Sequence, residues 1–180
     1  MYTLYMRDME QVFSRTIRAG HIKEATQEHV VVADEPARAA LAALYRLAGL
    51  ALLRGAFVLR HEQSGVIVAT LEMRAKVTQT CVVTLEPFET RIEERSTLRF
   101  VPARTLPEGE EEELDPESLE APDEIPYIND MIDLGAALAE QLALALDPYP
   151  RKPGAELPEE YQAEPETPFA ALAKWRKDQD

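Results

Sequence analysis

Apolar and polar residues alternate through VIVATLEMRAKV, residues 66–77, the clearest pattern in the chain. Period-two alternation puts successive side chains on opposite faces of a strand. Leu71, Met73, Ala75 and Val77 therefore share one face, and Glu72, Arg74 and Lys76 share the other. Residues 12–17 and 28–33 also read as strands, the second around the run Val30-Val31-Val32. Residues 56–60 and 66–77 flank HEQSG, a glycine-containing connection, which predicts a hairpin. The strand pattern runs on through TCVVT at 80–84 and turns at Glu86-Pro87. It resumes in a long strand over 88–101, where Arg91, Glu93 and Arg95 alternate in the same manner, and a short strand is expected near 124–128.

Two segments repeat near 3.6 instead. Asp34 precedes Glu35-Pro36, a capping residue followed by a proline that a first helical turn tolerates. Leu41, Leu44, Tyr45 and Ala48 give that helix its apolar face, with Gly49 as its stop. Asp133 caps a second helix, in which Leu134, Leu138 and Leu142 recur every four residues and Ala137, Ala145 and Leu146 widen the stripe. Pro148 ends it sharply, because proline disfavours helical geometry in the residue before it. The fold class predicted is α+β: a curved antiparallel β-sheet, barrel-like, packed with two main helices on its core side.

Composition divides the chain. Eleven of the thirteen prolines lie at or after Pro102. Residues 105–124, TLPEGEEEELDPESLEAPDE, carry ten carboxylates and no base, and residues 156–166 carry five more, again unopposed. With those fifteen set aside, the remaining 18 carboxylates face 19 Lys and Arg, so the body nets +1 although the chain is −14. We read residues 1–152 as a single α+β domain with a long acidic loop inserted at 105–124. Residues 153–180 read as a flexible C-terminal tail ending in a short docking helix over 168–177, where Phe169, Leu172 and Trp175 sit three apart. No stretch approaches the roughly 20 apolar residues needed to span a bilayer, no signal peptide opens the chain, and one cysteine fits a reducing compartment. A soluble, cytoplasmic protein without a membrane partner is expected.

Catalytic and metal chemistry find little support in the residues. The seven glycines never cluster into a phosphate cradle, and no nucleophile motif appears. Cys81 with His21, His29 and His61 shows no ligand spacing, so neither a metal nor another cofactor is expected. Cys81 itself reads as a buried structural thiol. The dense carboxylates lie in flexible-looking segments that would hold no pair in register, and Glu140 on its apolar helix is either an exposed edge residue or a buried partner for an arginine, so the chain reads as no enzyme. Binding residues are easier to nominate. If the strands 66–77 and 88–101 pair, Arg74, Lys76, Arg91 and Arg95 merge into one patch, which is either a solvated face or a contact for phosphate or protein. Arg151 and Lys152 in DPYPRKPG are held between prolines, as a basic loop or as a structural turn, and Arg15 and Arg18 add further cations near the start.

Four blocks, in order, resemble one family: FSR at 13–15, VTQTCVVTLEPF at 77–88, IDLGAALAEQLALALDPYPRKPGAE from Ile132, and PFAALAKWRK near the end. The chain resembles the YceD-like family, the large ribosomal RNA subunit accumulation proteins. That resemblance implies a bacterial cytosolic factor for accumulation of the 23S RNA of the large subunit, with no catalytic residues to carry over. Many relatives have a C-x-x-C pair where this chain has Cys81 and Thr84, so any metal role in relatives does not transfer. The expected function is a non-enzymatic ribosome biogenesis factor whose partners are large-subunit ribosomal RNA or precursor particles. The alternative is an acidic escort of a basic large-subunit ribosomal protein, using residues 105–124.

Overall fold

The structure, a computed structural model, describes residues 12–103 and 123–156. The expected docking helix at 168–177 and all but the last two residues of the acidic segment lie outside the described residues. Strand β1 (Thr16–Arg18) leads through a short 3-10 turn to β2 (Gln27–Val32), helix α1 (Glu35–Leu44), β3 (Gly49–His61), β4 (Ile67–Thr80) and β5 (Pro87–Pro102). Then come β6 (Asp123–Tyr127), β7 (Met131–Asp133) and helix α2 (Leu134–Ala145). Both expected caps form. Asp34 Oδ1 accepts from the Ala37 N–H at 3.0 Å, and Asp133 Oδ1 from Gly135 and Ala136 at 2.9 and 3.0 Å.

Five strands make the main sheet in the order β2-β3-β4-β5-β6, while β1 and β7 pair separately. The expected fold class holds as α+β, but two of its details are corrected. The described strands do not close a barrel, and the sheet is mixed, because β6 runs parallel to β5. A parallel neighbour needs a connection of about a dozen residues or more, and the stretch before β6 is long enough to supply one.

Strand limits shift as well. The first strand is only Thr16–Arg18, β3 begins at Gly49 instead of at residue 56, and α1 ends at Leu44. The chain leaves α1 through Arg46, whose φ of 55° reverses it directly into β3. β4 stops at Thr80, so the rest of TCVVT, residues 81–84, enters a turn instead of continuing the strand. The turn closes because the Leu85 N–H donates to Cys81 O and the Cys81 N–H to Glu86 O, each at 2.9 Å.

One face of the sheet is the core. Phe57, Leu59, Ile67, Leu71, Met73, Val77, Leu98 and Phe100 are buried there with Leu134, Leu138 and Leu142 of α2. The helix lies very close to the sheet at Gly55, where a Cβ would come within 2.8 Å of Leu138 and 3.0 Å of Leu71. The Tyr45 hydroxyl donates to Ala139 O at 2.9 Å, tying the turn after α1 to α2. Phe13 is buried in the same core, and the backbone after it runs against the start of α2, where the Leu134 N–H donates to Arg15 O at 3.0 Å.

Candidate functional site

The second face of the sheet carries the candidate residues. Register between β4 and β5 sets Glu72 opposite Arg95, Arg74 opposite Glu93, and Lys76 opposite Arg91. The expected merging of the two charged rows is therefore realised. β3 widens the patch, because Arg54 lies opposite Arg74. Val30 and Val32 of β2 continue this face at 50% and 49% exposure, joined by exposed Leu52 and Val58 of β3. No helix or strand among the described residues packs over it.

The charges on this face are loosely paired. Arg74 Nε is 3.9 Å from Glu93, and Lys76 Nζ is 2.8 Å from Glu89, both pairs well exposed. Such pairs are worth about 0–1 kcal/mol, so an incoming anion displaces them at small cost. Arg54, Arg91 and Arg95 have no carboxylate within 4.0 Å among the described residues. At about 3.4 Å per residue, Arg91 and Arg95 stand roughly 14 Å apart along β5.

The other four candidates lie elsewhere. Arg15 is occupied: it reaches Asp34 at 3.2 Å, donates to Ser14 O at 2.7 Å, and lies 5.0 Å over the Phe13 ring. Arg18, on β1, lines a cleft beside β2. Arg151 and Lys152 follow α2 in a loop clipped onto the β4–β5 turn. There the Val82 N–H donates to Pro150 O at 2.9 Å, and the buried Gln79 amide donates to Asp147 O at 3.1 Å. Lys152 Nζ meets Glu86 at 2.7 Å. That hydrogen bond holds the Glu86 carboxyl below its usual range and the Lys152 ammonium above its own.

Cys81 is the hinge of that clip. Its buried Sγ accepts from the N–H groups of Val83 and Thr84 at 3.4 Å and of Lys152 at 3.3 Å. Burial pushes the thiol up, but hydrogen bonding from Thr84, Lys152 and Val83 outweighs it and brings the pKa down to about 7. No group of three or more potential metal ligands occurs among the described residues. The sulfur therefore holds two loops together through backbone donors. Among the described residues no helix is long and apolar enough to cross a membrane.

Sequence reasoning missed Arg54. The strand was expected over 56–60, after Arg54, and the alternation that flags it lies in LLRGAF.

No curated protein and no solved structure matches this chain. Residues 69–175 match the family described as large ribosomal RNA subunit accumulation protein YceD, a span that runs from near the start of β4 beyond α2. That span takes in the charged strands β4 and β5, the Cys81 clip and the helix capped by Asp133. The chain belongs to the YceD family of large ribosomal RNA subunit accumulation proteins.

Proposed function

We propose that this protein is a non-enzymatic assembly factor that meets large-subunit ribosomal RNA, in precursor particles, through the open face of its sheet. The observation that carries the reading is the register-built row of Arg54, Arg74, Lys76, Arg91 and Arg95, exposed or half-buried and loosely paired. Double-stranded RNA is read mostly by shape and by contacts to phosphate and 2′-hydroxyl groups, which needs spaced cations on a firm surface and no base-specific pocket. A sheet supplies that firmness, since its strands are fixed by backbone bonds on both sides. The exposed valines beside the arginines suit a protein neighbour within the same particle.

The test is a chromosomal replacement with R74E/R91E/R95E, followed by sedimentation of particles and measurement of large-subunit RNA. The reading expects the folded variant to leave the precursor fractions and large-subunit RNA to fall. Unchanged sedimentation with a folded variant would sink this surface assignment. Capture of one basic ribosomal protein that survives RNase, and that is lost on deleting residues 105–122, would move the function to the escort alternative.

A further inference from the structure

The two sheets fail to join along one seam, and the seam is a cleft of about 380 Å³. β1 lines one side and the outer edge of the five-stranded sheet, β2, the other. Its apolar wall is Ile17, Ile22 and Met131, and its polar groups are Thr16, Arg18, His21 and His29. Gln27 also reaches it, with its amide donating to His21 O at 3.3 Å. Among the described residues no carboxylate lines the cleft, although the chain carries a net charge of −14. The neighbouring Glu28 alternates onto the opposite face of β2, and Asp130, next to Met131, accepts from the Gly20 N–H at 2.8 Å.

Arg18 has no carboxylate within 4.0 Å among the described residues. The contrast with the larger cavity at the β3–β4 turn, about 860 Å³, is direct. There Arg60 and Arg99 are both met by Glu62, at 2.7 and 3.7 Å, and Arg99 also by Glu124 at 3.3 Å. That cavity is neutralised from within, whereas the seam keeps an uncommitted guanidinium beside two imidazoles.

We infer that the seam holds one unstacked nucleotide of single-stranded RNA, with its phosphate on Arg18 and the imidazoles and its base against Ile17, Ile22 and Met131. The volume lies in the range of small-molecule sites and exceeds what a bare phosphate fills. Splayed bases stack on imidazole and guanidinium planes as well as on larger rings, and apolar walls favour a base over water. This inference rests on the RNA reading above and deepens it: the open face would take the backbone of a helical segment, and the seam a nucleotide from an adjoining loop.

The experiment follows the imidazole NMR signals of His21 and His29 in the full chain. The probes are tetrauridylate, uridine 5′-monophosphate, uridine and inorganic phosphate, against wild type, Arg18→Gln and His21→Gln. The expected result is saturable shifts with the tetranucleotide and the monophosphate, at least about fivefold weaker for uridine or phosphate alone. Arg18→Gln is expected to weaken them by about fivefold or more. Motionless imidazoles at saturating tetranucleotide, or equal response to phosphate and to the monophosphate, would overturn the assignment. If the imidazoles stay still while a helical ribosomal RNA fragment still binds, the seam assignment fails alone. If neither the tetranucleotide nor that fragment binds, the RNA reading falls with it.

Discussion

Asp133 serves two elements with one oxygen. Its Oδ1 accepts from Gly135 and Ala136 to cap α2, and from the Arg15 N–H at 2.8 Å to hold the segment that leads into β1. A lost cap alone costs about 1 kcal/mol, and the lost hydrogen bond from the exposed Arg15 N–H adds about 0.5–1.5 more. Asp133→Ala is therefore expected to cost roughly 1.5–2.5 kcal/mol in urea unfolding. A loss confined to a few tenths would contradict this shared role. Cys81 gives a pH signature with a definite sign. Its thiol titrates at about 7 in the folded chain against an ordinary value of 9.0. Below about 7 both states are protonated and the group adds nothing; stability then grows as pH rises towards 9.0, and it is lost again as pH falls back through about 7. Urea midpoints of wild type minus Cys81→Ala, compared between pH 6 and pH 10 (about one unit outside each pKa), should widen towards the alkaline end. A difference independent of pH would show that the sulfur's hydrogen bonds do not favour its thiolate.

Gly135 explains why two separated blocks of this sequence belong together. A Cβ there would lie 2.7 Å from Arg15 N and 2.8 Å from Phe13 O, backbone atoms that cannot swing aside. The FSR segment thus packs on the first turn of α2 only because that turn begins with glycine. Gly135→Ala is expected to destabilise by about 1–3 kcal/mol, as overpacking does, although alanine is the better helix former. A stabilised variant, read by thermal unfolding, would show that the contact yields. The caps, the alternation of β4 and β5 and the facing of their charges were legible in the sequence, because capping and period two are local physics. The long start of β3 was not. Gly49 and Gly55 look like breaks until α2 is seen to need the space above Gly55. The parallel placement of β6 was hidden too, since nothing in DEIPY states which way the strand lies. TCVVT misled through strand propensity, where the hydrogen bonds of Cys81 and Leu85 make a turn.

At the scale of the whole molecule, burial and charge are segregated. One face of the sheet is closed by α2 and the small β1–β7 sheet, and no described helix or strand covers the other, where the arginines stand in register. The family match and the sequence blocks pointed to ribosomal RNA. The gathering of Arg74, Lys76, Arg91 and Arg95 on one face was legible from alternation, and the separation of Arg15, Arg18, Arg151 and Lys152 from them was not, because it depends on tertiary contacts. If the open face neutralises RNA phosphates, as proposed, affinity depends on salt in a countable manner. Each phosphate contact contributes about 0.7–0.9 to the slope of log affinity against log salt. The decisive measurement is that slope for a helical large-subunit RNA fragment between about 50 and 200 mM salt, for wild type and for R74Q/R91Q/R95Q. The folded triple variant is expected to bind more weakly, with a slope shallower by roughly 2–3. An unchanged slope and affinity in the folded variant would contradict it and remove the open face as the site of RNA contact.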